Sequence, residues 1–344
     1  MKKNIKKILK VLGIFLLIIL VALIAYLIYL FASYHRIPDN QDLKIEKTSD
    51  GTVAADTLTT EKEYSALTYN VGFGAYTPDF SFFMDGGKSS WAKSKESVES
   101  DIQGAGELVA SKDPDFALIQ EVDLNSTRSY HVDEYSILKD TIPSYNTIFA
   151  QNYDSIFLFY PFTQPHGRSR SGLALFSKYP VTDSLRRSFP ISTSFSKFFD
   201  LDRCYSISRV PVDNGKELAI FLLHMSAYGN SDAIREAQIR MLSADMEKEY
   251  EAGNYVLCGG DFNHDLKASE KDAENCESWA YPFPREELPE HFSFCLDNLS
   301  DSEKDALWDS ARNADMEYVP GVTYTVTLDG FITSDNIEYQ NMKM

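Results

Sequence analysis

Between Val11 and Ala32 the chain runs for 22 residues without a charge, almost all of them apolar. As a helix such a run rises about 33 Å at 1.5 Å per residue, enough to cross a hydrocarbon layer roughly 30 Å thick. No other feature constrains the fold as strongly, because it splits the chain into a membrane-length segment and a remainder that must fold in water. The apolar part of a cleaved leader is usually only about 7–15 residues, and no small-x-small cleavage site follows, so the run reads as an uncleaved anchor. Lys2, Lys3, Lys6, Lys7 and Lys10 precede it, against only His35 and Arg36 just after it. An excess of Lys and Arg marks the cytoplasmic flank. Residues 1–10 are therefore expected as a basic cytoplasmic tail and 11–32 as a single transmembrane helix. The rest is expected outside the cell.

Residues 33–63 are polar, without a clear period, and read as a linker. The globular domain is expected over 64–344, and 44% hydrophobic content is enough to give it a full core. Setting aside the five N-terminal lysines leaves 28 basic residues against 51 acidic ones. That surface argues against broad, phosphate-driven nucleic-acid binding, but a divalent cation can still bring a polyanion to it. The four cysteines, Cys204, Cys258, Cys276 and Cys295, fall in no CxxC or zinc spacing. Cys258 reads as a buried thiol, and Cys276 with Cys295 is the one candidate disulfide.

Short apolar runs between turn signals predict strands at Tyr64–Val71, Phe116–Glu121, Ser171–Ser177, Cys204–Pro211, Glu217–His224 and from Tyr255 into Gly259-Gly260-Asp261. Weaker strands are expected at Tyr145–Phe149, Thr323–Thr327 and Leu328–Thr333. Asp213-Asn214-Gly215 predicts a hairpin turn. Apolar residues at helical spacing predict helices from Lys95 to Ala110, Ser126 to Lys139, and from a Ser231 cap to Ala252, the last with Ile234, Ala237, Met241 and Leu242 inward. Residues 73–91 and 151–170 read as aromatic-rich loops. Such rings either line a cleft, meet a lipid surface or pack onto the domain. Residues 266–316 read as acidic and irregular.

Polar residues end or interrupt these buried strands: Asn70, Glu121, His224, Asp261, Asn263 and Asp329. Each has an ordinary structural explanation alone. Six of one kind point to a shared site, since α/β sheets place functional groups at strand ends.

The motifs LTYNVG, LIQEVD, SGLALFSKYP, LLHMSAYG and GGDFN, in this order, resemble the endonuclease/exonuclease/phosphatase superfamily, over roughly Tyr64 to Asn336. The resemblance implies an α/β (α+β) fold, a four-layer α/β/β/α sandwich of the deoxyribonuclease-I-like type, here preceded by the transmembrane helix. It also implies a metal-dependent phosphoric ester hydrolase using Mg²⁺, with Mn²⁺ as the alternative ion. By position, Glu121 and Asn70 would hold the metal, and His224, Asp261, Asn263 and Asp329 would carry catalysis. Arg168, Arg203 and His166 are candidate substrate contacts. The family's closing strand carries Ser-Asp-His, yet no histidine follows His291 here, and Ser334-Asp335-Asn336 only imitates the motif. The expectation is a chain truncated before that strand, with an unpaired sheet edge, or else a degenerate binding protein. The leading reading is a membrane-anchored extracellular phosphoesterase, for a lipid headgroup or small phosphodiester or phosphomonoester. The alternatives are a nuclease of the same superfamily and a non-catalytic surface binder. No broad nucleic-acid binding is expected.

Overall fold

Strands buried on both faces need cover on both sides, and alternation along each strand shows which side chain meets which layer. A computed structural model of the chain describes residues 2–48, 57–198, 201–227, 232–268 and 279–344. It separates into two units, residues up to Arg36 and Ile37–Met344. The first is one helix, α1 (Lys2–Ser33), long and apolar enough over Asn4–Ser33 to cross a membrane.

In the second unit, one sheet orders its strands as β1 (Gln41–Asp42), β7 (Asp183–Ser188), β8 (Cys204–Pro211), β9 (Glu217–His224), β10 (Tyr255–Asp261), β14 (Asp329–Ser334) and β11 (Phe292–Phe294). The other runs β2 (Ile45–Glu46), β5 (Asn146–Asp154), β6 (Arg170–Ser177), β4 (Phe116–Asp123) and β3 (Ala66–Asn70). A two-stranded ribbon, β12 (Ala311–Arg312) with β13 (Thr325–Val326), stands apart.

Alternation sorts the core into three slabs. On β4, Ala117 and Ile119 face α2 (Lys95–Lys112) and α3 (Glu134–Thr141), joining Val98, Ile102, Val109 and Leu138. Phe116 and Leu118 point the other way and meet Val210, Ile220 and Leu222 of the second sheet. On β9 the neighbours Ala219, Phe221 and Leu223 turn outward to α4 (Asp232–Glu251), where Ile239, Leu242 and Met246 cover them. The order is helix, sheet, sheet, helix, a four-layer α/β/β/α sandwich. Each fully buried aliphatic or aromatic side chain contributes about 1.5–3 kcal/mol, so all three slabs hold the sandwich together.

The Cys204–Pro211 and Glu217–His224 strands pair as expected, with Pro211 opposite Glu217. Several expectations need correction. The segment read as a linker over 33–63 is largely part of the domain in its described residues. β1 pairs with β7, β2 pairs with β5, and Leu58 bridges Val212. Its polarity misled because short edge strands bury backbone rather than side chains. The helix expected over Ser126–Lys139 is only α3, because Tyr130 and His131 adopt left-handed φ of 55° and 61° and stop the chain turning as a helix. Asp133 then caps α3 by accepting from the Ser136 amide. On α4 the deepest residues are Ile239, Leu242 and Met246 rather than Ile234 and Ala237. The Ser231 cap lies outside the described residues, as does Cys276; Cys295 is buried with a free thiol. β14 pairs with β10 on one side and with β11 over Phe292–Phe294 on the other, while β3 and β11 each end a sheet.

Candidate functional site

Register brings the strand-end residues together. β9 and β10 run parallel with His224 beside Asp261, and β14 runs antiparallel to β10 with Asp329 beside the same Asp261. Three polar side chains therefore stand abreast at one end of the larger sheet. In the smaller sheet, β3 and β4 are parallel with Asn70 opposite Gln120, which puts Glu121 one residue further along. Asn70 links the two sheets. Its Nδ2 donates to Asp261 Oδ2 at 2.9 Å and to Glu121 Oε1 at 3.2 Å, and its Oδ1 accepts from the Gly72 amide at 2.9 Å.

The backbone is strained where these groups are presented. Glu121 has φ 56° at a bulge in the β4–β6 ladder, and Asn263 has φ 51° just beyond β10. Left-handed non-glycine residues cost about 1–3 kcal/mol each and persist where the surroundings over-determine them. At Gly260, φ is 143° and a Cβ would stand 2.1 Å from the Leu223 carbonyl oxygen. Only glycine lets β10 lie that close to β9 just before Asp261.

Three carboxylates converge with little cationic compensation. Burial pushes Asp261 up to about 6, with the Glu121 charge adding to the effect against hydrogen bonds from Asn70 and Asn263. Burial, then the Asp261 charge, also holds Asp329 well above the usual carboxylate range, and its Oδ1 is buried without a hydrogen-bond partner. Burial, then the nearby Arg203 and Arg128 guanidinium groups, drives His224 well below the usual imidazole range. The ring is therefore neutral, and its Nε2, 3.6 Å from Asp261 Oδ2, makes a polar contact rather than an ion pair. Asn263 is held by its Nδ2 donating to Met225 O at 2.8 Å, while its amide donates to Asp261 Oδ1 at 2.8 Å.

These residues line a cavity of about 1160 Å³. Arg203 and His166, expected as substrate contacts, also line it, and Arg203 has buried Nε and Nη1 atoms without partners. Arg168 does not line it: its guanidinium pairs with Asp154 at 3.0 Å. Of the aromatics in the loop over 73–91, Phe73, Phe80 and Phe82 are buried and Tyr76 is exposed. Arg128 was invisible in the sequence. It is buried, holds Asp123 through two bonds of 3.1 and 2.9 Å, and lies 3.8 Å over the Phe73 ring. Tyr153 and the wall from Leu307 to Arg312 were missed too, because they lie in stretches with no periodic signal.

Among the described residues no three His, Cys, Asp or Glu groups are arranged as a closed metal cage. Mg²⁺ does not need one, since it keeps several waters and takes one or two carboxylates. Glu121 and Asp261 share one amide donor, and the orphaned Asp329 oxygen stands nearby, so the donor set is hard, anionic and undercompensated. That fits such an ion. Asn70 turns its nitrogen, not its oxygen, to the carboxylates, and so orients them.

A model of the endonuclease/exonuclease/phosphatase family matches residues 67–292. No curated protein matches the chain. Among solved structures, an endonuclease/exonuclease/phosphatase from Beutenbergia cavernae DSM 12333 is similar at 13% identity with a TM-score of 0.52, covering 79% of this chain and 64% of that one. This chain thus spans less than two thirds of that protein. A truncated TDP2 of Caenorhabditis elegans is similar at 14% identity and a TM-score of 0.48, with 79% and 83% covered. A mannosyl-6-phosphatase of Bacteroides thetaiotaomicron is similar at 17% identity and 0.49, with 79% and 85% covered.

Proposed function

Because the chain belongs to the endonuclease/exonuclease/phosphatase family, we propose that its cavity hydrolyses a phosphate ester with the help of Mg²⁺, or of Mn²⁺ in its place. The observation that carries this reading is the convergence of Glu121, Asp261 and Asp329 from strands of both sheets, tied by Asn70, in a cavity that Arg203 also lines.

Glu121 and Asp261 would hold the ion, which when bound neutralises charge on the phosphate and lowers the pKa of a water. The remaining work falls to the chain itself. Asp261, its Oδ1 anchored by the Asn263 amide, would help orient the attacking water. Neutral His224 offers one ring N–H to a phosphoryl oxygen where charge builds. The unpartnered Nε and Nη1 of Arg203 supply donors for a phosphate.

The lysine-rich flank before α1 supports a topology with the N-terminus cytoplasmic and the catalytic unit extracellular; protease accessibility on intact cells tests it. The function is tested with the purified full chain on a nitrophenyl phosphodiester and a nitrophenyl monoester. Turnover is expected with Mg²⁺, is lost in EDTA, and falls about 10²–10³-fold in His224→Ala. Absence of metal-dependent turnover on both substrates overturns it. A nuclease shares this chemistry, and plasmid nicking separates the two. The excess of acidic residues disfavours it.

A further inference from the structure

We infer that Arg128 is a positioning residue of the site: acting through Asp123 and Phe73, its guanidinium holds Glu121 and Asn70 in the arrangement that receives the ion. The part concerning the ion rests on the phosphoesterase reading; the clamp on the two segments does not.

Glu121 and Asn70 are both presented by left-handed backbone. Glu121, with φ 56°, stands where the β4–β6 ladder shifts register between Ile119 and Val122. A bulge re-aims the side chain it carries, which requires the strand beyond it to be fixed. After Asn70 the chain turns through Gly72, Phe73 and Gly74 with φ of 53°, 44° and 60°. The Gly72 amide in that turn donates to Asn70 Oδ1 at 2.9 Å. Glycine takes such angles freely, but phenylalanine keeps them only where its surroundings enforce them.

Arg128 meets both segments. Its Nε and Nη2 donate to Asp123 Oδ2 and Oδ1 at 3.1 and 2.9 Å, just past Glu121 on β4. Ser129 Oγ donates to the same Oδ2 at 2.8 Å, and the Asp123 amide donates to Glu134 Oε2 at 2.8 Å. Asp123 is thereby gripped at both carboxylate oxygens and at its backbone, and it is fully buried. The face of the same guanidinium lies 3.8 Å from the centre of the buried Phe73 ring. A planar group can bond through its edge and stack through its face at once. Here the edge fixes the strand after Glu121 and the face fixes the turn after Asn70.

Stability alone does not account for this ion pair. Exchanging a buried pair for apolar side chains is often neutral or stabilising, and Phe73 already belongs to an apolar slab with Phe80, Phe82 and Val98. Nor is the guanidinium presented as a phosphate contact, although Arg128 lines the cavity. Its Nε and Nη2 are both committed to Asp123, whereas Arg203, on the same cavity, has Nε and Nη1 without partners.

The test uses the purified full chain and Mg²⁺ alone as the probe. Arg128→Lys keeps a cation but loses the planar fork. Its Mg²⁺ affinity, measured by calorimetry without substrate, is expected to fall about 10–100-fold. Without the ion, amide hydrogen exchange over residues 70–74 and 119–123 is expected to quicken more than over 255–261 of β10. Ser129→Ala is the milder variant, since it removes one bond to Asp123 and leaves the guanidinium in place. It is expected to shift both readouts the same way, with an affinity loss of about three- to tenfold. The KM for a nitrophenyl phosphodiester at saturating Mg²⁺ should stay that of the parent in both variants. Unchanged Mg²⁺ affinity overturns the inference, and so does exchange that quickens equally in all three stretches, the mark of general loosening. A raised KM with parental Mg²⁺ affinity also overturns it, because Arg128 would then be a substrate contact. A parent chain that binds no Mg²⁺ would instead overturn the metal-dependent phosphoesterase reading, and the local exchange would decide the clamp by itself.

Discussion

Asn70 shows how much a single amide does here. Its Nδ2 is shared between Glu121 and Asp261, so it both fixes the carboxylates and offsets part of their repulsion. Asn70→Ala should cost about 1–3 kcal/mol in urea unfolding and about 10–100-fold in turnover, as expected for a group that orients ligands. Gly260→Ala should destabilise by roughly 1–3 kcal/mol, because a Cβ there meets the Leu223 carbonyl oxygen and the chain must shift. Glu134 gives a pH signature. It is buried; its Oε2 accepts from the Asp123 amide at 2.8 Å and its Oε1 has no partner. Burial, then the Asp123 charge, holds its carboxyl well above the usual range. An acid with a raised folded pKa binds more protons folded than unfolded, so stability falls as pH climbs above the unfolded value of about 4.3. Within that window each pH unit costs about 1.4 kcal/mol. Glu134→Gln should flatten that decline, gaining on the parent at pH 8 but not at pH 4; parallel declines in thermal melts would refute it. At this scale the sequence was informative where a polar residue closed an apolar run, as at Glu121, His224 and Asp261. It was silent for Arg128 and Glu134, whose meaning depends on partners brought by folding.

Among the elements, β7 escaped the sequence reading because its two deeply buried side chains are Ser184 and Arg186. No apolar alternation marks a strand whose inward face is polar. Arg186 is fully buried and donates to the carbonyls of Gln151, Pro38 and Asp202 and to Ser188 Oγ. It thus staples the segment after Arg36 to both sheets. That also explains why residues 37–48 look like a linker in composition and behave as part of the domain. Arg186→Met should cost about 3–5 kcal/mol, since it leaves buried carbonyl groups unpaired. The expected result in urea is a lowered midpoint with an unchanged slope. A midpoint within about 1 kcal/mol of the parent would show that the segment is held by other contacts. The strands that were legible, such as β9 and β10, are those buried on both faces, where packing demands a continuous apolar run.

For the molecule as a whole, the four layers were expected from the order of motifs rather than from any one of them. Local patterning could not reveal which strands adjoin: β14 lies between β10 and β11, far apart in sequence. The same long-range pairing concentrates negative charge, bringing Asp329 beside Asp261 in a chain whose net charge is already −18. Two physical effects then predict stabilisation by Mg²⁺, and they must be told apart. General screening of the net charge depends on ionic strength alone. Binding at the site adds RT ln(1 + [L]/Kd), about 2.7 kcal/mol at a hundredfold excess over Kd, which corresponds to several degrees in the melting temperature. Mg²⁺ should therefore raise the melting temperature beyond NaCl of equal ionic strength, and EDTA should reverse the gain. Glu121→Gln should lose the Mg²⁺-specific part while keeping the response to salt. A shift that NaCl reproduces, or that survives Glu121→Gln undiminished, would mean that the three carboxylates act through net charge and hold no ion.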